Sequence, residues 1–202
     1  PISYYDKKSH KYKGIAVDLM DKLGEKLGIK FRYFAINTKD PYDMFNSTKT
    51  DIVLPVYVDD LMYYKTKSLF DSDINYITKS SYGTLNDNAR IAVVKKYKYI
   101  SDCLKNKTKY NIVEYDTIED ACNGVNDGEV DAFATSTYNA KFIIQNPRYR
   151  KLDIREFDNI SLPFGLAINN NSILESALNK GIQYITSEER KNIIDKDTAY
   201  KW

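Results

Sequence analysis

Few residues of this chain could do chemistry, and their spacing limits what that chemistry could be. The single histidine, His10, lies in the polar loop Ser9-His10-Lys11-Tyr12-Lys13-Gly14. A Ser/His or Cys/His nucleophile pair would have to use it, and nothing beside it supports one. The two cysteines, Cys103 and Cys122, are too few for a disulfide framework and fall on the apolar sides of expected helices. They are expected to be buried free thiols. No Cys/His cluster has zinc spacing, and no glycine-rich phosphate loop occurs. Neither a metal nor a cofactor is therefore expected. Asp51 and Asp131 each open a short apolar run, Asp51-Ile52-Val53-Leu54-Pro55-Val56 and Asp131-Ala132-Phe133-Ala134. Their repeated place at a helix-to-strand turn favours structural hydrogen bonding over acid/base catalysis.

The residues left over suit binding rather than catalysis. Tyr57 and Asp59 follow the first Asp-run, and Thr135, Ser136 and Thr137 follow the second. Asn37, Thr38 and Lys39 form a loop, and Lys95, Lys96 and Tyr97 precede an expected helix. Tyr63 and Tyr64 are adjacent on an expected helix, so at most one of them, taken as Tyr64, faces a ligand. Each has a plainer alternative. Asp59 and the Thr135–Thr137 group can cap the helices they precede. The lysines can be solvated, and the Asn37–Lys39 loop can be ordinary surface.

The elements that position these residues alternate. Ile118, Ala121, Cys122 and Val125 share one helical face; Thr117 can cap that helix, with Asp120 as a capping-box acid, and Gly128 can end it. The strand Val130–Ala134 follows. A weaker echo lies upstream: a helical turn at Tyr42–Asn46, a polar Ser47–Thr50, then the Asp51–Val56 strand. One helix, turn, Asp-strand unit therefore occurs twice, which two similar α/β lobes explain, with function in a cleft between them. Further helices are expected from Gly14 to Gly28 and over Asp59–Lys67, Ile100–Asn106, Tyr138–Gln145, Ile173–Ile185 and Ser187–Ile194. Strands are expected at Ile29–Phe34, Ile74–Lys79, Arg90–Val94 and Ile112–Tyr115. The turn-rich Ser80–Asn88 and the apolar Leu162–Ile168 are the expected crossings between lobes.

Composition sets outer limits. In 202 residues, 43% are hydrophobic and 29% charged, with a formal net charge of +2. That balance points to no nucleic-acid partner and no membrane-surface partner. No apolar run approaches a transmembrane helix, and no signal peptide is visible. The abrupt start at Pro1 suggests an excised segment of a longer protein.

These landmarks together resemble the type II periplasmic binding-protein fold, in particular the family-3 bacterial solute-binding domain. The resemblance rests on Pro1-Ile2-Ser3-Tyr4-Tyr5-Asp6, on GIAVDLMDKLGEKLGIKF from Gly14 to Phe31, and on TDIVLPV from Thr50 to Val56. Phe70-Asp71-Ser72-Asp73, ARIAVV from Ala89, IVEYDTIEDACNGVNDGEVDAF from Ile112 and PFGLAINNN from Pro163 follow in family order. It implies an α/β, two-lobed, Venus-flytrap architecture with two hinge crossings and a small molecule in the interlobe cleft. Lobe 1 is expected at 1–79 plus 166–202, and lobe 2 at 82–162. The family's first strand, which normally precedes the opening Pro-x-x-Tyr segment, is missing from this sequence.

The chain departs from amino-acid-binding members at three points. Tyr63 and Tyr64 stand where those members carry an Arg that forks onto the ligand carboxylate. The loop Lys95-Lys96-Tyr97-Lys98-Tyr99 replaces a Ser-Gly-Thr type anion loop. Ser136 replaces the Asp that takes the ligand ammonium. A hydroxyl-rich or amide-bearing ligand is expected over a zwitterion. The resemblance implies an extracytoplasmic, membrane-tethered sensor domain of a bacterial signalling protein, coupled to a downstream signalling domain of the same polypeptide. The alternatives are the solute-binding component of an ABC importer, which would meet a permease, and a periplasmic dehydratase-like enzyme. The dehydratases hold an acid substrate through an Arg that is missing here, so no enzyme activity is expected.

Overall fold

A computed structural model describes residues 2–35, 43, 45–46, 50–57 and 64–199. The chain divides into two compact units, residues 1–71 with 162–202, and residues 72–161. It passes from one to the other twice, inside strands β4 (Phe70–Lys79) and β9 (Ser161–Ile168). The first passage therefore falls in an extended strand and not in the turn-rich 80–88 stretch, which follows β4 as an irregular segment of lobe 2. Turn chemistry marks where a chain leaves a sheet, and β4 does not leave its sheet in order to cross.

Lobe 1 opens with the hairpin β1 (Tyr4–Asp6) and β2 (Lys11–Lys13), paired antiparallel. Helix α1 (Ile15–Leu27) follows, with Ile15, Ala16, Leu19 and Leu23 wholly buried at helical spacing. Strand β3 (Ile52–Tyr57) pairs antiparallel with β9, from Ile52 opposite Ile168 to Tyr57 opposite Phe164. The register slips between Val53 and Val56, across Pro55, which has no N–H to give the ladder. Helices α5 (Ser172–Tyr184) and α6 (Ser187–Thr198) complete the lobe. Gly181 of α5 lies against Leu23 and Leu27 of α1, where a Cβ would collide with both side chains. That absence is what lets the two helices pack. The sequence-expected start of α6 is observed: Thr186 and Glu189 form a reciprocal capping box.

The expected Ile29–Phe34 strand does not form. Residues 29–35 carry no regular secondary structure, and Ile29 and Phe34 are exposed. The segment is held by side chains instead. Tyr33 Oη donates to Asp21 Oδ1 at 2.6 Å, and Ala35 N donates to Tyr12 Oη at 2.9 Å. Alternating apolar residues make a strand only beside a partner, and no ladder among the described residues includes residues 29–35. Most of the expected 42–46 turn and residues 59–63 of the expected 59–67 helix lie outside the described residues; residues 64–67 are not helical, because Tyr64–Thr66 run beside β9, with Lys65 bridging Ala167.

Lobe 2 is a five-stranded sheet in the order β8 (Leu152–Arg155), β4, β7 (Ala132–Ser136), β5 (Arg90–Val94), β6 (Asn111–Tyr115). β5 runs parallel to β6 and β7, and β4 runs antiparallel to β7 and β8. Between the strands lie α2 (Lys98–Lys107), α3 (Ile118–Asp127) and α4 (Thr137–Ile144). Thr117 caps α3 as expected, its oxygen accepting from Asp120 N at 3.0 Å. Asp120 does not return to the cap backbone as a full capping box requires; its carboxylate takes the Thr117 hydroxyl at 2.6 Å. Gly128 ends the helix at φ 81°, a conformation costly for any residue with a Cβ. The strand after it begins at Ala132 and not Val130, because Glu129 and Val130 still donate to Gly124 O and close the helix.

The two cysteines are free and buried. Cys122 packs with Ala92, Val94, Phe133 and Ile77 on one face of the sheet. Cys103 lies near Tyr76, whose side chain alternates to the other face from Ile77. Parallel crossovers that run in opposite directions from β5 require this arrangement. Burial pushes the Cys122 thiol up to about 12.

Candidate functional site

In lobe 2 the parallel strands β5 and β7 are neighbours, yet the chain leaves them in opposite directions. α2 carries it from β5 out to β6, while α3 brings it back across β5 to β7. The carboxyl ends of β5 and β7 therefore flank a topological switch point, the place where open α/β sheets present a crevice to ligands. The residues at those ends are Lys95, Lys96 and Tyr97 after β5, and Thr135 and Ser136 at the end of β7. The fold brings these five sequence candidates together.

Their environments differ. Lys95 and Lys96 are exposed; Lys95 Nζ pairs with Asp116 Oδ1 at 2.7 Å, and Lys96 Nζ lies 5.9 Å from the Tyr97 ring centre. Tyr97 and Tyr99 are half-buried and meet edge to face, their centroids 6.1 Å apart. Burial raises both phenols above their ordinary value. Thr135 and Ser136 are wholly buried. Ser136 also has the plainer role foreseen for it: its Oγ accepts from Asn139 N at 3.2 Å and caps α4. Thr137 Oγ1 donates to Asp73 O at 3.0 Å, tying the same turn to β4.

Lobe 1 places Tyr57 at the carboxyl end of β3, its ring 6.4 Å from that of Phe164. Tyr64 is 52% exposed and its carbonyl accepts from Ile168 N at 2.9 Å, so its backbone joins the edge of β9 while its side chain stands in solvent. Asp59, Asn37, Thr38 and Tyr63 lie outside the described residues.

The paired aspartates resolve into two roles. Asp131 Oδ2 accepts from Arg90 N at 2.7 Å, and Asp131 Oδ1 meets the Arg90 guanidinium at 3.3 Å. It is a structural acceptor joining the start of β7 to the start of β5, at the opposite end of the strands from the switch point. Asp51 is exposed, and no side-chain partner is found for it among the described residues. His10 sits in the exposed hairpin with Nδ1 3.4 Å from Tyr5 Oη. Among the described residues no group of His, Cys, Asp and Glu could hold a metal, and no helix is long and apolar enough to cross a membrane.

Two further polar residues carry no mark in the sequence. Asn139, in the first turn of α4, is 5% exposed and lies beside the Tyr97 phenol. In the stretch Ser136-Thr137-Tyr138-Asn139 nothing marks which polar residue turns inward. Asp158 accepts from Tyr76 Oη at 2.6 Å and from Tyr110 Oη at 3.4 Å, far apart in sequence. Only the fold could bring them together.

No protein-family model matches the sequence, and no curated protein matches it. Solved structures do. The periplasmic VFT2 domain of Bordetella pertussis BvgS superposes with a TM-score of 0.81 at 17% identity, covering 98% of this chain and 88% of that one. The GluR0 ligand-binding core in complex with L-glutamate gives 0.78 at 15% identity, covering 98% and 94%. The substrate-binding protein of an amino-acid ABC transporter gives 0.72 at 16%, covering 98% and 93%. The fold is thus the two-lobed Venus-flytrap fold of type II periplasmic binding proteins.

Proposed function

We propose that this chain is an extracytoplasmic small-molecule-binding domain that serves as the sensor of a bacterial membrane signalling protein. The observation that carries the reading is the lobe-2 switch point, where Tyr97, Thr135 and Ser136 converge without an acid. The similarity to the periplasmic VFT2 domain of BvgS supports a sensor. It acts by binding and not by catalysis, since the lone histidine is in an exposed hairpin and both thiols are buried. Tyr57, Asp59, Tyr64, Asn37 and Thr38 are assigned to the lobe-1 side of the site, and Lys95, Lys96, Tyr97, Thr135 and Ser136 to the lobe-2 side. Its partners are a small molecule and a downstream signalling domain of the same polypeptide, which tethers it to the membrane.

Free α-amino acids are poor ligands in this reading. A forked charge-assisted pair and a counter-charge are replaced by Tyr64 and Ser136, losses of about 1.5–3 kcal/mol each. Together they correspond to roughly two to four orders of magnitude in affinity. Calorimetry against the twenty amino acids tests this, and a micromolar response to any of them would show the site residues to be misplaced. The second reading, the solute-binding component of an importer, is favoured by the likeness to an ABC-transporter binding protein. The full-length gene separates the two: membrane spans and a signalling domain mean sensor, and a lipid-anchor cysteine beside a permease gene means transport. A thermal-shift screen of the domain against small metabolites tests whether it binds at all.

A further inference from the structure

At the switch point two buried polar atoms have no hydrogen-bond partner within the protein: Thr135 Oγ1 and Asn139 Nδ2. Thr135 is wholly buried and Asn139 is 5% exposed. They flank the Ser136 cap at the N-terminus of α4. Both belong to the same side of the sheet. Thr135, two residues on, shares the strand face of Phe133, and Phe133 packs with Ala140 and Ile143 of α4 on the face that also receives Tyr97. The Asn139 amide lies close enough to the Tyr97 hydroxyl to oppose the upward push of burial on that phenol, without reaching hydrogen-bond geometry.

The polarity of this spot is one-sided. An amide nitrogen can only donate, and a threonine hydroxyl can donate. The start of α4 adds positive potential. The segments that meet here, residues 94–97 and 135–139, contain Lys95 and Lys96 and no Asp or Glu. They offer no carboxylate to an ammonium, and their unpaired donors favour an oxygen that accepts. Two unpaired groups this deeply buried are costly to a fold, and a native structure keeps them where something else satisfies them.

We propose that Thr135 Oγ1 and Asn139 Nδ2 are a donor pair for a carboxylate, so that the ligand is an organic acid that meets lobe 2 through its carboxylate and not through an amine. This rests on the binding-domain reading above and names the ligand class for it. Tyr97, half-buried beside Asn139, is the side chain that swings aside to admit the acid.

The test uses calorimetry and thermal shift on the domain with sodium acetate, succinate and citrate, set against acetamide, succinamide, glycine and ethylamine. At least one carboxylate is expected to bind saturably, at least tenfold more tightly than its amide and than both amines. Thr135→Val and Asn139→Leu are each expected to weaken that binding about tenfold or more. Without ligand, Thr135→Val is expected to leave the melting temperature unchanged or raise it, because a methyl replaces a hydroxyl that nothing in the fold uses. A fall in melting temperature would mean that the hydroxyl is satisfied structurally, and would overturn the proposal. So would equal binding of acid and amide, carboxylate binding that neither variant alters, or no response to any of the three acids. A response to other metabolites with none to the acids overturns this inference alone. Silence across a full metabolite screen overturns the binding-domain reading as well.

Discussion

The same sequence unit, a helical turn, a polar turn and an Asp-led apolar run, has two fates in the two lobes. In lobe 2 the run becomes β7, paired on both sides by β4 and β5 and buried at every position from Ala132 to Ser136. Its Asp131 is bonded to Arg90. In lobe 1 the run becomes β3, paired with β9, interrupted at Pro55, and buried only at Val53 and Val56. Its Asp51 is exposed. An apolar run therefore predicts a strand, but its rank in the sheet depends on how many neighbours the rest of the chain supplies. Pro55 was the available hint, since proline is tolerated at a sheet edge and not at its centre.

The contrast is broken or upheld most directly at the equivalent positions Phe133 and Val53, each two residues after its aspartate. Phe133→Ala removes a wholly buried ring from the centre of lobe 2 and is expected to cost about 3–5 kcal/mol. Val53→Ala, on the strand of lobe 1 interrupted by proline, is expected to cost about 1–2 kcal/mol. Urea unfolding followed by a probe in each lobe measures both. Equal losses would show that β3 is as central to its lobe as β7 is.

The aspartates sharpen the same comparison. Asp131→Ala leaves the Arg90 N–H at the start of β5 without its charged acceptor and is expected to destabilise by about 1–3 kcal/mol. Most of this comes from the Arg90 N–H, since the guanidinium is half exposed and its ion pair is screened. Asp51→Ala is expected to stay within about 0.5 kcal/mol of the parent. A larger effect at Asp51 than at Asp131 would reverse the assignment of roles. Next in size is Gly128→Ala, which forces a Cβ into the left-handed region at φ 81° and is expected to cost about 1–2 kcal/mol. A neutral result would mean that the turn into β7 can relax.

How much of this was readable depended on whether the deciding contacts were local. The α3 helix was legible, apart from the role of Asp120, because Thr117, the apolar face and Gly128 lie within one short stretch of sequence. The start of α6 at Ser187 was legible for the same reason, although the Thr186–Glu189 capping box was not singled out. The burial of Cys103 and Cys122 as free thiols was legible from their places on the apolar sides of local helices. The 29–35 segment was misread because its alternation is strand-like while its strand partner would have to come from elsewhere in the chain. The crossing at 71/72 was misplaced because a strand that continues from one unit to the next has no turn residues to announce it. At the switch point, Thr135 and Ser136 were singled out because they follow an Asp-strand. Asn139 was not found, because inward and outward polar residues of a helix's first turn look alike in sequence.

The smallest expected effect concerns how each lobe holds its last helix. α4 of lobe 2 is fixed by buried Ala140 and Ile143, whereas α6 of lobe 1 has no fully buried residue and carries ion pairs to α1 beside the Arg190 hydrogen bonds to Leu69 O and Ile182 O. Glu189 meets Lys26 Nζ at 2.9 Å and Lys22 Nζ at 3.6 Å, and Lys196 Nζ meets Asp18 Oδ2 at 2.6 Å. The Lys26 ammonium, with the Thr186 backbone N–H, lowers the Glu189 carboxyl from 4.5 to about 2. A carboxyl depressed on folding stabilises the folded form above its unfolded value and loses that contribution as pH falls toward the folded one. The contribution of Glu189 to the docking of α6 on α1 is therefore expected to be complete above pH 5, to weaken from about pH 4.5 and to be largely lost near pH 2, with raised salt acting in the same direction. Hydrogen exchange of residues 187–198 between pH 5 and pH 2, corrected for intrinsic rates, reads this against α4 as the internal control. Glu189→Gln should remove most of the pH dependence in α6 while leaving α4 untouched. If α4 and α6 lose protection together, the two helices open with the whole protein, and the charge-held attachment of α6 is not a separate feature of lobe 1.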